Sequence, residues 1–140
     1  MYQNNNKTMN TKILMTASAL FLGIIGIGLT FLPEEIAEYL RFDGNQIAIL
    51  ILQILGALYL GFALLNWMTK HNLIGGIYSR PLIIGNLLHF LVSSFALIKI
   101  ALNPENYFEV IITLTLIYSI FTLCFAYVFI TNPKKLDTAK

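Results

Sequence analysis

The sequence predicts an all-α integral membrane protein: an antiparallel four-helix bundle with a short external amphipathic helix between its first and second spanning helices. Three observations predict it. The 140-residue chain is 57% hydrophobic and only 11% charged, where soluble domains carry about 25% charged residues. Four apolar runs each approach or exceed the ~20 residues that a spanning helix needs. Pro33, Pro81, Pro104 and Pro133 all fall at the edges of those runs, where proline suits a first helical turn or the position just past a helix end. The mean hydropathy of +0.73 agrees, and the net charge of +2 is too small to argue for a nucleic-acid partner.

Residues 1–10 are polar and read as a disordered tail, with Met9 as an alternative start because MNTKILM opens like a membrane-protein N-terminus. Lys7 and Lys12 followed by an apolar run to Leu32 resemble a secretory signal. The run is longer than the roughly 7–15 residues of a signal core, and no small-x-small site follows it. Residues 11–32 are therefore expected to be an uncleaved first spanning helix.

PEEIAEYLRF follows. Ile36 and Leu40 share one helical face, with Glu34, Glu38 and Arg41 directed elsewhere. It reads either as a brace lying on the bilayer or as an acidic docking surface. The second spanning helix is expected at 46–68 and the third at 81–102. A tight turn containing Gly75-Gly76 joins them, with Ser79 as a cap. Asn103-Pro104-Glu105 reads as N-cap, first residue and acidic first turn of the fourth helix, placed at 107–131. Residues 133–140 form a basic tail, and 11–132 form one transmembrane domain.

Orientation follows from the basic residues. Lys7, Lys12, Lys70, Arg80, Lys134, Lys135 and Lys140 fall on one side, and Arg41 and Lys99 on the other. The positive-inside rule then places both termini and the 69–80 turn in the cytoplasm. Every acid except Asp137 falls on the opposite side. Trp67 and Tyr78 mark the inner interface; Tyr39, Phe42, Tyr107 and Phe108 mark the outer one.

A residue spacing alternating between three and four stays on one helical face. Thr16, Ala19, Gly23, Gly26 and Thr30 form such a stripe in the first helix. Gln53, Gly56, Tyr59, Ala63 and Asn66 form one in the second. The third has Asn86, His89, Ser93 and Ala96, and the fourth Thr115, Ser119, Thr122 and Ala126. Small faces allow close approach in lipid, and polar side chains bond across helices. All four stripes are therefore expected to face inward.

The polar residues inside apolar runs are the candidate site. His89, Asn86, Asn66 and Tyr59 are expected toward the cytoplasmic half, lining a pocket for an amphiphile. The plainer reading is that His89 hydrogen-bonds a neighbour and holds the second helix to the third. A third reading is proton relay or pH sensing. Lys70 and Arg80, with His71, sit at headgroup level. They read either as positive-inside anchors or as contacts to an anionic headgroup or phosphate.

Missing residues narrow the chemistry. The apolar cores hold no Asp or Glu for carboxylate-driven proton exchange. His89 alone cannot supply paired haem ligands within one chain. Cys124 is the single cysteine, so disulfide and thiolate-metal chemistry lack a pair, and it reads as a packing residue. No clustered Asp suggests a metal-dependent transferase, and His89 with Ser93 lacks a strained nucleophile turn. No cofactor or metal and no enzymatic activity are expected.

LGALYLGFALLNW in the second helix, with LPEEIAEYL closing the first, resembles the DoxX-like small four-helix bacterial membrane proteins. That resemblance implies a compact four-helix bundle, often a subunit or helper of a larger membrane system. Asn-, Ile- and Lys-rich usage suggests an AT-rich bacterial genome, in keeping with placement in a bacterial inner membrane. The expected function is a non-enzymatic accessory protein that packs against a membrane-protein partner or itself, through the helix 1 glycine stripe and the external acidic helix. The alternative is a binder or carrier of a lipid, quinone or other amphiphile around His89.

Overall fold

The computed structural model describes residues 11–41, 45–70, 80–102 and 107–131. They form α1 (Thr11–Phe31), α2 (Pro33–Tyr39), α3 (Gln46–Thr69), α4 (Arg80–Ala101) and α5 (Phe108–Thr131). No strand occurs among the described residues. α1, α3, α4 and α5 are each long and apolar enough to cross a membrane. The chain is thus an all-α multi-pass membrane protein, and each spanning helix ends within one residue of its expected bounds.

Local chemistry sets these ends. Pro33 opens α2 directly after α1, where its missing N–H costs nothing. Arg41 terminates α2 in the left-handed region, at φ 54°, and its N–H donates to the Glu38 carbonyl at 3.0 Å. Asn45 caps α3, its side-chain oxygen accepting from the Ala48 N–H at 2.7 Å, which satisfies one of the orphan donors of the first turn.

The last helix starts one residue later than expected. Tyr107 has φ 56°, so the helical run starts only at Phe108 and the first-turn acid is Glu109. Asn103, Pro104 and Glu105 precede that break and lie outside the described residues. So do both tails, Phe42, and the turn with His71, Gly75, Gly76, Tyr78 and Ser79.

Internal contacts divide the chain into two compact units, one of α1, α2 and α3 and the other of α4 and α5. In the first, the partners of Ser18, Gly23, Gly26 and Thr30 on α1 are Asn66, Ala63, Leu60 and Gly56 on α3. The partner numbers fall as the α1 numbers rise, so the two helices run antiparallel.

Glycine sets their separation. A Cβ at Gly26 would lie 2.9 Å from the Leu60 backbone nitrogen; one at Gly56 would lie 2.8 Å from the Thr30 nitrogen and 3.0 Å from the Gly26 carbonyl oxygen. Backbone cannot yield at such distances, so only glycine fits. Close backbone approach gains the dispersion contacts that hold helices together in lipid. The approach also shuts in the Thr30 hydroxyl, a buried oxygen with no hydrogen-bond partner among the described residues. The helix 1 glycine stripe, expected to offer a surface to a partner, is therefore occupied within the chain by α3.

α2 contacts α3. Its buried residues are Pro33 and Ala37, whereas Ile36 and Leu40 are only half-buried. The expected apolar face is thus centred on a small side chain, which lets this short helix come close. Glu34, Glu35 and Glu38 are exposed.

In the second unit, α4 and α5 also run antiparallel, with Ser94 opposite Thr122 and Phe90 opposite Phe125. Large rings fill this contact. Phe90 stacks on Phe121 and Phe125 at centroid distances of 4.7 and 5.6 Å and meets Tyr118 edge-on at 5.4 Å. The small stripes expected here are displaced. Ser94 is buried in place of Ser93, and Ala96 is exposed. On α5 the buried residues are Tyr118, Thr122, Phe125 and Val128, while Thr115, Ser119 and Ala126 are half-buried. Aromatic rings gain more dispersion than small side chains when the helices stand apart.

Candidate functional site

The four polar residues singled out from the sequence divide two and two. Tyr59 and Asn66 belong to the α1–α3 unit, Asn86 and His89 to the α4–α5 unit. Each pair is described within its own unit.

Tyr59 and Asn66 lie with Gly56 and Ala63 on the buried stripe of α3. Asn66 is fully buried, and its Nδ2 donates to Ser18 Oγ at 3.1 Å. Ser18 Oγ in turn donates to the Met15 carbonyl at 3.1 Å. A hydroxyl has one proton and two lone pairs, so it relays α3 onto the α1 backbone. The fifth residue of the expected stripe, Gln53, is exposed. Thr16, on the stripe expected for α1, bonds its own helix at the Lys12 carbonyl, 2.8 Å away.

Asn86 is fully buried, and its Nδ2 donates to the Leu82 carbonyl one turn back at 3.0 Å. His89 is half-buried. Its ring meets Phe90 edge-on at 5.1 Å and lies tilted against Tyr118 at 6.0 Å. Further along the same unit, Thr122 Oγ1 lies 2.8 Å from the Tyr118 carbonyl and 3.0 Å from Ser94 Oγ. With its single proton on the carbonyl, Thr122 accepts from Ser94.

The two headgroup candidates also have partners in their own units. The Lys70 ammonium sits 2.9 Å from the Trp67 ring centroid. The Arg80 guanidinium lies 5.9 Å from that of Phe129. Both are cation–π distances. Among the described residues, no three His, Cys, Asp or Glu side chains gather as a metal site requires.

Sequence reasoning missed Ser18, Ser94 and Tyr118. For Ser18 a signal existed: it lies four residues before Leu22 and eight before Gly26, on the same face. Tyr118 and Ser94 gave none, because a small-residue stripe one position away competed with them. Compared with known proteins, the chain matches no family model, no curated protein sequence and no solved structure.

Proposed function

We propose that this multi-pass protein is a non-enzymatic accessory or interaction subunit of a bacterial cytoplasmic membrane, with both termini on the cytoplasmic side. The orientation rests on the seven-to-two division of Lys and Arg between the two sides. The DoxX-like resemblance of the first two spanning helices, α1 and α3, points the same way.

One observation carries the reading: Ser18, Asn66, Asn86, Ser94 and Thr122, the buried polar side chains among the described residues, are engaged in joining or satisfying helices. Asn66 ties α3 to Ser18 of α1. Asn86 returns to its own helix, and Ser94 meets Thr122. Thr69, Thr113, Thr115 and Thr131 each bond the carbonyl four residues back at 2.7 Å. Such back-bonding satisfies a hydroxyl inside its own helix and leaves none of these oxygens activated by a base. Meanwhile Ile24, Leu64, Val92, Phe95, Leu123 and Ile130 are exposed on the spanning helices, where lipid or a partner helix meets them.

The alternative, a lipid, quinone or other amphiphile held by His89, Asn86, Asn66 and Tyr59, requires those groups to turn toward a ligand. Native mass spectrometry on protein gently extracted from its own membrane separates the two readings. A co-purified protein or a homo-oligomer, unaffected by His89→Ala, is the expected result. A monomer carrying a stoichiometric small molecule that is lost in His89→Ala would overturn the accessory reading.

A further inference from the structure

A groove of about 740 Å³ lies between α2 and the N-terminal half of α3. Glu34 and Glu38 line one wall, Gln46 and Gln53 the other, with Ile49 and Leu50 between the amides. The spacings explain the convergence. Residues four apart share a face of α2, and residues seven apart share a face of α3. Among the described residues, none of these four polar side chains has an internal hydrogen-bond or ion-pair partner. No Lys or Arg is among its described lining residues.

We propose that this groove binds the head of an amphiphile carrying a primary ammonium group. This goes beyond the accessory role and uses none of the residues around His89. Two carboxylates give the site a negative charge that no Lys or Arg among its described lining residues neutralises. The carboxylate and carboxamide oxygens together offer acceptors for N–H donors, and charge-assisted bonds of that kind are the strong ones. A quaternary ammonium, which favours aromatic faces, meets no aromatic side chain among the described lining residues. A bare ion is far smaller than the groove, since even a water molecule's share of the liquid is only about 30 Å³.

The apolar residues supply the other half of the ligand. Leu50 is 54% exposed, and Ile54 and Leu58 follow it one turn at a time at 61% and 53%. They make a continuous exposed apolar line leading out of the groove along a spanning helix, which an acyl chain can follow within the bilayer.

The test uses the full chain in phosphatidylcholine bilayer discs containing a minor share of phosphatidylethanolamine with identical acyl chains. Native mass spectrometry then reads which lipid stays bound. The expected result is at least ~10-fold preferential retention of the ethanolamine lipid, the change that 1.4 kcal/mol of differential affinity brings. Glu34→Gln with Glu38→Gln should abolish that preference with helix content unchanged by circular dichroism, and Glu109→Gln should leave it intact. Dodecylammonium should displace the lipid, because the ammonium is the recognised group. Equal retention of both lipids by wild type, or a preference that survives the double substitution, overturns the proposal.

Discussion

At the crossing of α1 and α3, Gly26 and Gly56 bring two backbones to a distance that excludes a Cβ. Between α4 and α5, Phe90 lies stacked among Phe121, Phe125 and Tyr118. Both pairs meet the same difficulty. Lipid tails are as apolar as leucine, so burial from water does not drive helices together there. One pair gains dispersion by removing side chains until the backbones meet, the other by filling the space with the largest ones. In each pair side-chain hydroxyl or amide groups also bond across the helices, Asn66 to Ser18 and Ser94 to Thr122. The two units should therefore respond oppositely to a change in side-chain volume.

The largest effect is expected from truncation in the aromatic pair. Phe90→Ala should cost about 3–5 kcal/mol, the range for emptying a buried Phe site, measured by denaturant unfolding in mixed micelles. Hydrogen exchange should place the loss in α4 and α5. A loss below about 1 kcal/mol would mean that the rings are not what joins them.

Filling comes next. Gly26→Ala and Gly56→Ala should each cost about 1–3 kcal/mol, as overpacking does, with exchange accelerated in α1 and α3. Gly61 serves as the control, because among the described residues nothing stands within 4 Å of a Cβ there. Gly61→Ala should be neutral or stabilising by up to about 1 kcal/mol, the helix-propensity difference. Equal losses at Gly61 and Gly56 would show propensity, not close approach, to be at work.

The smallest change should be a gain. Thr30 carries a buried hydroxyl with no partner among the described residues. Thr30→Val keeps the shape and removes the unsatisfied group, so unfolding should become harder by about 1 kcal/mol or more. A destabilised variant would mean that this hydroxyl finds a partner, a water or a second protein, in the membrane.

This contrast also explains what could be read from the sequence. Helix positions were legible because length and hydropathy determine them, and proline and a capping Asn sharpen the ends. The buried stripe of α3 was legible because Gly56, Ala63 and Asn66 break a Leu/Ile pattern at helical spacing. The rule that small residues mark the interface then failed for α4 and α5. Their joint is made by Phe90, Tyr118 and Phe125, and a phenylalanine in an apolar run looks the same whether it faces lipid or a neighbour. The candidate site suffered similarly. Asn66 stands out as a polar residue, but its partner Ser18 is one of several small residues in α1. The α2–α3 groove was hidden because it depends on how a seven-residue helix folds back, which Gln53 alone does not announce.

If Asn66 and Ser18 join α3 to α1, their contributions to stability are coupled. A double-mutant cycle on Ser18→Ala and Asn66→Leu tests it most directly, by unfolding free energy in micelles. The two changes should be non-additive, with a coupling of about 0.6–2 kcal/mol, the range for interhelical hydrogen bonds in membranes. Strictly additive losses, or a single Asn66→Leu variant as stable as wild type, would contradict it.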